Sequence, residues 1–225
     1  MNTSGEGTAN IILYLVVLAL FVQVAIRMVP RPLSQLPFPW FGAVATVVIG
    51  IPSLLQFAWP SIDSALRRNP AETLDHGQWW RVLTAMLAQD GGAAGAIFNL
   101  LVVALVTCTG EWIWGRWRAI ALFVVPSIVL NLLAIGWGAS GGGSSFASDA
   151  LLMSVCGLGL VTVRNLVVRI CATAAIVVGV ALIGIDDAHG VAMLIGAAAG
   201  VALGFGSRRT VGAGGGVRSR FIRSG

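Results

Sequence analysis

The stretch AIALFVVPSIVLNLLAIGW, residues 119–137, holds no charged side chain in nineteen positions. As a helix it would be about 28 Å long at about 1.5 Å per residue, close to the roughly 30 Å of a bilayer's hydrocarbon core. Six more apolar runs flank it, at roughly 11–28, 40–58, 93–109, 146–163, 168–185 and 189–206, the run at 93–109 being short for a span. None alternates with the sustained period of two that a membrane strand needs. The expected class is therefore all-α: a polytopic membrane protein of seven spans.

Composition agrees. Hydrophobic residues make up 57% of the 225 positions and charged residues only 10%, with a mean hydropathy of +0.89. A soluble domain carries about 25% charged residues, so this chain cannot clothe a water-facing surface. Cys108, Cys156 and Cys171 lie in or beside apolar runs, without CxxC or Cys/His spacing. They read as small hydrophobes, and neither a metal nor a cofactor is expected.

The net charge of +5 comes from fourteen arginines and no lysine. In a soluble chain that would point to nucleic acid; here most arginines stand between or after the spans, so no nucleic-acid partner is expected. Counting alternate loops, eleven arginines (27, 31, 116, 118, 164, 169, 208, 209, 218, 220 and 223) fall on one side and Arg67, Arg68 and Arg81 on the other. By the positive-inside rule the N-terminus is outside and the C-terminus inside. Residues 1–10 carry Glu6 and no basic residue, unlike the positive start of a cleaved signal, so the first run is expected to be a retained helix. Residues 208–225 read as a disordered basic cytoplasmic tail drawn to anionic membrane lipids.

Ser144 and Ser145 open the fifth run at its outer end, after a glycine-rich loop, and His189 opens the seventh at the same face. Two helices starting at one depth can bring a hydroxyl within hydrogen-bond reach of an imidazole, which is what activates a serine.

From about residue 40 to 206 the chain resembles the six-helix core of rhomboid intramembrane serine proteases, with one extra N-terminal transmembrane helix. The likeness rests on Gly77-Gln-Trp-Trp-Arg-Val-Leu-Thr84 in the first long loop, Asn99 early in the next helix, and Glu111-Trp-Ile-Trp-Gly115 at that helix's inner end. It rests also on Gly143-Ser-Ser145-Phe-Ala147 opening a helix, Ala188-His189 opening the last one, and Gly196, Gly200 and Gly204 at small-xxx-small spacing. The resemblance implies a membrane domain at 37–207 after an N-terminal helix and linker at 1–36. It implies Ser145 as nucleophile, His189 as general base and Asn99 as an oxyanion donor, in a multi-pass protein of the bacterial plasma membrane that cuts transmembrane substrates near the outer face.

The chain also departs from the family pattern. Gly95 stands where a histidine is usual, Phe146 where glycine follows the serine, Ala192 where glycine is usual three residues after the histidine, and Asp149 where an aromatic often stacks on the histidine. Losing one oxyanion donor costs about 100- to 1000-fold in rate. A catalytically inactive pseudo-rhomboid that binds transmembrane clients is thus the alternative, and a transporter a third. Asp149 could orient His189, or be a helix-entry acid satisfied by the dipole and water. Ser148 and Ser140 are alternative nucleophiles; Ser140, however, precedes three glycines, each disfavouring helix by about 1 kcal/mol. Glu111 is expected to pair with Arg116 or Arg118, and Arg81 to bind backbone carbonyls.

Overall fold

The computed structural model describes residue 1 and residues 8–213, without the side chains of residues 8, 33 and 207–213. The chain is all-helical, and among the described residues no strand forms. Its helices are α1 (Thr8–Met28), α2 (Trp40–Leu55), α3 (Pro60–Leu66), α4 (Pro70–Leu74), α5 (Arg81–Thr84), α6 (Gly92–Trp114), α7 (Arg116–Gly136), α8 (Ser145–Thr162), α9 (Leu166–Gly184) and α10 (His189–Ala213).

Six of these helices are long and apolar enough to cross a membrane, from Ala9–Met28 through His189–Gly206. They carry outward-facing hydrophobic side chains, among them Ile26 (62% exposed), Leu101 (66%), Val125 (56%) and Val177 (61%). Apolar surface on that scale calls for lipid rather than water as the surrounding solvent. The protein is a multi-pass membrane protein. The remaining apolar helix, α2, has sixteen residues, about 24 Å long.

Several boundaries shift from the sequence expectation for local reasons. The run expected to be short becomes the 23-residue α6, because Thr107, Thr109 and Glu111 are buried rather than ending the helix. Gly115, at φ 76°, alone separates α6 from α7, a conformation glycine adopts without strain. Glu111 ties this corner together: it accepts from the backbone N–H groups of Phe41 (2.7 Å) and Gly42 (3.2 Å) and from Arg116 Nε (3.0 Å). The long loop after α2 holds α3 to α5, with Trp59, Trp79 and Trp80 exposed. Arg81 donates there to the carbonyls of Ser64 (2.8 Å) and Arg67 (2.9 Å). Helix α10 runs on to Ala213, into the segment expected to be disordered tail, and residues 214–225 of that tail lie outside the described residues.

Helix α8 is the centre of the bundle, with the largest buried share of the long helices. It packs most extensively on α10, and their glycines explain how. A Cβ on Gly196 would stand 2.1 Å from the Ala150 carbonyl oxygen, and one on Gly200 would stand 2.0 Å from that of Ser154. Backbone therefore lies on backbone, as small-residue stripes allow in membranes. This crossing fixes the N-terminus of α10 beside the N-terminus of α8. Helix α1 packs on α9 and α8, with Val17, Phe21 and Val24 wholly buried.

Candidate active site at the mouths of two helices

The serine-bearing loop is held by side chains from the segment before α6. Arg68 and Gly141 exchange backbone hydrogen bonds of 2.8 and 3.1 Å. The Arg68 guanidinium donates to the Ala139 carbonyl (2.8 Å) and to Asn131 Oδ1 (2.6 Å). Burial brings Arg68 down to about 10, against the pull of Asp90. Asp90 Oδ2 accepts from Gly142 N–H (2.9 Å), while its Oδ1 accepts from Arg67 (2.9 Å). The hydrogen-bonded Asp63 carboxylate raises Arg67 above its ordinary value; burial opposes this and Asp90 adds to it. A Cβ at Gly142 would lie 2.7 Å from that of Ala88, so the loop can lie this close only as glycine.

That anchoring delivers Ser145 as the first residue of α8. Its Oγ lies 2.8 Å from His189 Nε2. On the other side of the ring, His189 Nδ1 lies 2.7 Å from Asp187 Oδ1, which also accepts the backbone N–H of His189 at 2.9 Å. Asp186 takes a positive φ of 64°, turning the chain so that Asp187 folds back. His189 is 4% exposed and Asp187 wholly buried. Burial pushes the Asp187 carboxyl up, but hydrogen bonds from His189 and Tyr14 outweigh it, and the group sits below the ordinary carboxylate range.

The other residues singled out in the sequence fall as follows. Asn99 lines the same cavity as Ser145 and donates to Gln89 Oε1 (2.9 Å); Gln89 in turn donates to Ser144 Oγ (3.2 Å). Asp149 lines the cavity without a hydrogen bond to His189. As the orienting carboxylate it is displaced by Asp187, which reaches Nδ1 from only two residues away. Ser148 is 1% exposed, and its Oγ has no hydrogen-bond partner among the described residues; it lines the cavity one turn below Ser145. Ser140 is exposed in the loop, before α8 begins. Neither alternative serine is bonded to the imidazole, whereas Ser145 is.

Two residues beside the site have local reasons for their identity. A Cβ on Gly95 would meet the Asp90 carbonyl oxygen at 2.9 Å, so a histidine there would displace the turn that carries Asp90. Phe146 is buried against His189, ring centroids 4.9 Å apart, and so supplies the aromatic contact that Asp149 cannot.

Sequence reasoning missed Asp187, Tyr14, Asn10 and Gln89. The short Asp187-x-His189 spacing was a usable signal for the first. Tyr14, the chain's single tyrosine, stands in an apolar run, where a polar group needs a partner.

The site opens into a cavity of about 490 Å³ between α1, α6 and α8. Ser145, His189, Asn99 and Asp149 line it together with the apolar Leu15, Leu18, Phe98 and Val102. Chemically, this is a hydroxyl facing a ring nitrogen whose partner nitrogen faces a carboxylate, at a helix N-terminus with free backbone N–H groups. Among the described residues no cluster of His, Cys, Asp and Glu could hold a metal ion. No protein-family model matches the chain, and no curated protein matches it.

Proposed function

We propose that this protein is a rhomboid-type intramembrane serine endopeptidase that cuts transmembrane proteins near the outer face of the bacterial plasma membrane. Seven spans are counted, with α2 the shortest, the N-terminus outside and the C-terminus inside; the arginine asymmetry between alternate loops supports that orientation.

The observation that carries the reading is the 2.8 Å contact between Ser145 Oγ and His189 Nε2, made by residues 44 positions apart on two helices. In the proposed reaction Ser145 Oγ attacks the scissile carbonyl while its proton passes to His189 Nε2. The developing oxyanion takes hydrogen bonds from the N–H groups of the first turn of α8 and from Asn99, whose Nδ2 has a second hydrogen besides the one given to Gln89. His189 then returns the proton to the leaving amine, and water, deprotonated by the same imidazole, releases the acyl group from Ser145. Asp187 keeps Nδ1 protonated throughout, so that Nε2 is the basic nitrogen. The apolar side chains that line the cavity suit a substrate drawn from the lipid phase.

The test is a fluorophosphonate probe, which labels activated serines, applied to the purified full chain in lipid. Labelling is expected in wild type, Ser140→Ala and Ser148→Ala, and lost in Ser145→Ala and His189→Ala. No labelling of wild type in any detergent or bilayer would sink the protease reading and favour an inert protein that binds transmembrane helices.

A further inference from the structure

The Asp187 carboxylate is shared between two parts of the chain. An ionised carboxylate has about four lone-pair sites, and four donors reach this one. Oδ1 takes His189 Nδ1 (2.7 Å) and the His189 backbone N–H (2.9 Å). Oδ2 takes Tyr14 Oη (2.5 Å) and Asn10 Nδ2 (2.5 Å), both from α1. Tyr14 Oη also lies 3.0 Å from His189 Nδ1, with the two rings edge to face at a centroid separation of 5.2 Å. Asn10 and Asp187 are both buried, and Tyr14 is half-buried where it lines the cavity.

The arrangement bears on which nitrogen of His189 carries the proton. With Oδ2 occupied by Tyr14 and Asn10, the carboxylate is held with Oδ1 toward Nδ1, and the ring satisfies it by being the Nδ1–H tautomer. Nε2 is then a lone pair facing Ser145. Without the two donors from α1, the carboxylate loses the groups that fix its plane. A carboxyl buried without them is driven toward the neutral acid; its O–H can then donate to Nδ1, and the ring carries its proton on Nε2, pointing uselessly at the serine.

We infer that Tyr14 and Asn10 are positioning residues for the Ser145–His189 pair, acting through Asp187 to set the tautomer and orientation of the imidazole. The inference rests on the serine-hydrolase reading of this site. It makes the N-terminal helix a working part of the site: α1 supplies half of the donors on the orienting carboxylate and one wall of the cavity. The plainer reading, in which Tyr14 and Asn10 only fasten α1 to the bundle, predicts a loss of stability without a change at the imidazole.

The two are separated by nitrogen NMR on the full chain, with ¹⁵N-labelled histidine in a His76→Gln background so that His189 alone reports. Wild type is expected in the Nδ1–H form. Tyr14→Phe keeps the ring and its packing and removes only the hydroxyl; it and the double variant with Asn10→Ala are expected to give a mixture of tautomers. Fluorophosphonate labelling of Ser145 should fall about tenfold in Tyr14→Phe, the equivalent of one hydrogen bond to a charged group, and further in the double variant. A pure Nδ1–H form in the double variant overturns the inference, whatever its melting temperature or labelling rate. If wild type takes no label, the hydrolase reading falls, while the tautomer still decides whether Tyr14 and Asn10 set the imidazole.

Discussion

Replacing Asp187 by asparagine changes one atom and forces a choice. The amide has one accepting oxygen and one donating NH₂ group. With its oxygen toward His189, the NH₂ faces Tyr14 Oη, which can turn to accept from it, and Asn10 Nδ2, which cannot, so the bond from Asn10 is lost. With its oxygen toward α1, both bonds from α1 survive. The NH₂ then faces Nδ1, and only the bond from the His189 backbone N–H is given up. Each orientation gives up one hydrogen bond, worth about 0.5–1.5 kcal/mol to a neutral acceptor; the second is expected, because it leaves both α1 donors bonded as they are and needs no hydroxyl to turn. It requires Nδ1 to accept, moves the ring proton to Nε2 and removes the base from Ser145. A wrong tautomer of this kind costs on the order of 10⁴-fold in rate, about 5.5 kcal/mol of transition-state stabilisation. The assay is the second-order rate of fluorophosphonate labelling at neutral pH, with thermal melting as the control for folding. A folded Asp187→Asn protein labelled within about tenfold of the wild-type rate would refute the reasoning. The same substitution has a consequence in acid. Asp187 lies below its ordinary carboxylate value in the fold, so the stability it contributes is fully present above about pH 4 and is lost as pH falls through the depressed value. Wild type should therefore lose melting temperature more steeply than Asp187→Asn as the medium is acidified below about pH 4.

The Asp149→Asn variant should label at close to the wild-type rate, because the nitrogen it could have oriented already bonds to Asp187; a fall of about 100-fold, on the scale of a lost oxyanion donor, would return Asp149 to the mechanism. Gly200→Ala should part α8 from α10, since its Cβ would come within 2.0 Å of the Ser154 carbonyl oxygen. The expected cost is about 1–3 kcal/mol of stability, read as a lower melting temperature together with slower labelling of Ser145; unchanged values of both would mean that the close crossing does not hold the site together.

Ser145, His189 and the glycine stripe of α10 were legible because each has a local reason to be where it is. A serine after glycines marks a helix mouth, a glycine stripe marks a close crossing, and a lone histidine at the outer end of an apolar run is conspicuous. The loops supplied the rest. Alternating arginine-rich and arginine-poor connections put Ser145 and His189 on one face, which made their 44-residue separation irrelevant. Helix ends were less legible. The burial of Glu111 against the start of α2 lets α6 outlast its apolar run, and that depends on a neighbour 70 residues away.

The orienting carboxylate was hidden for a related reason. Position along one helix made Asp149 the natural candidate, one turn beyond the serine, whereas hydrogen bonding depends on where the chain between two helices turns. Asp186 at φ 64° reverses that short connection and brings Asp187 under the imidazole, a step that hydropathy cannot reveal. Once Asp187 is buried there, its second oxygen must find donors or pay a desolvation cost that would neutralise it. The nearest available donors are on α1, outside the segment that carries the family likeness. A polar residue in an otherwise apolar span is therefore best read as one half of a pair. Tyr14 and Asn10 stand one helical turn apart in α1, and that spacing puts both on one face, aimed at a partner that only the folded bundle identifies.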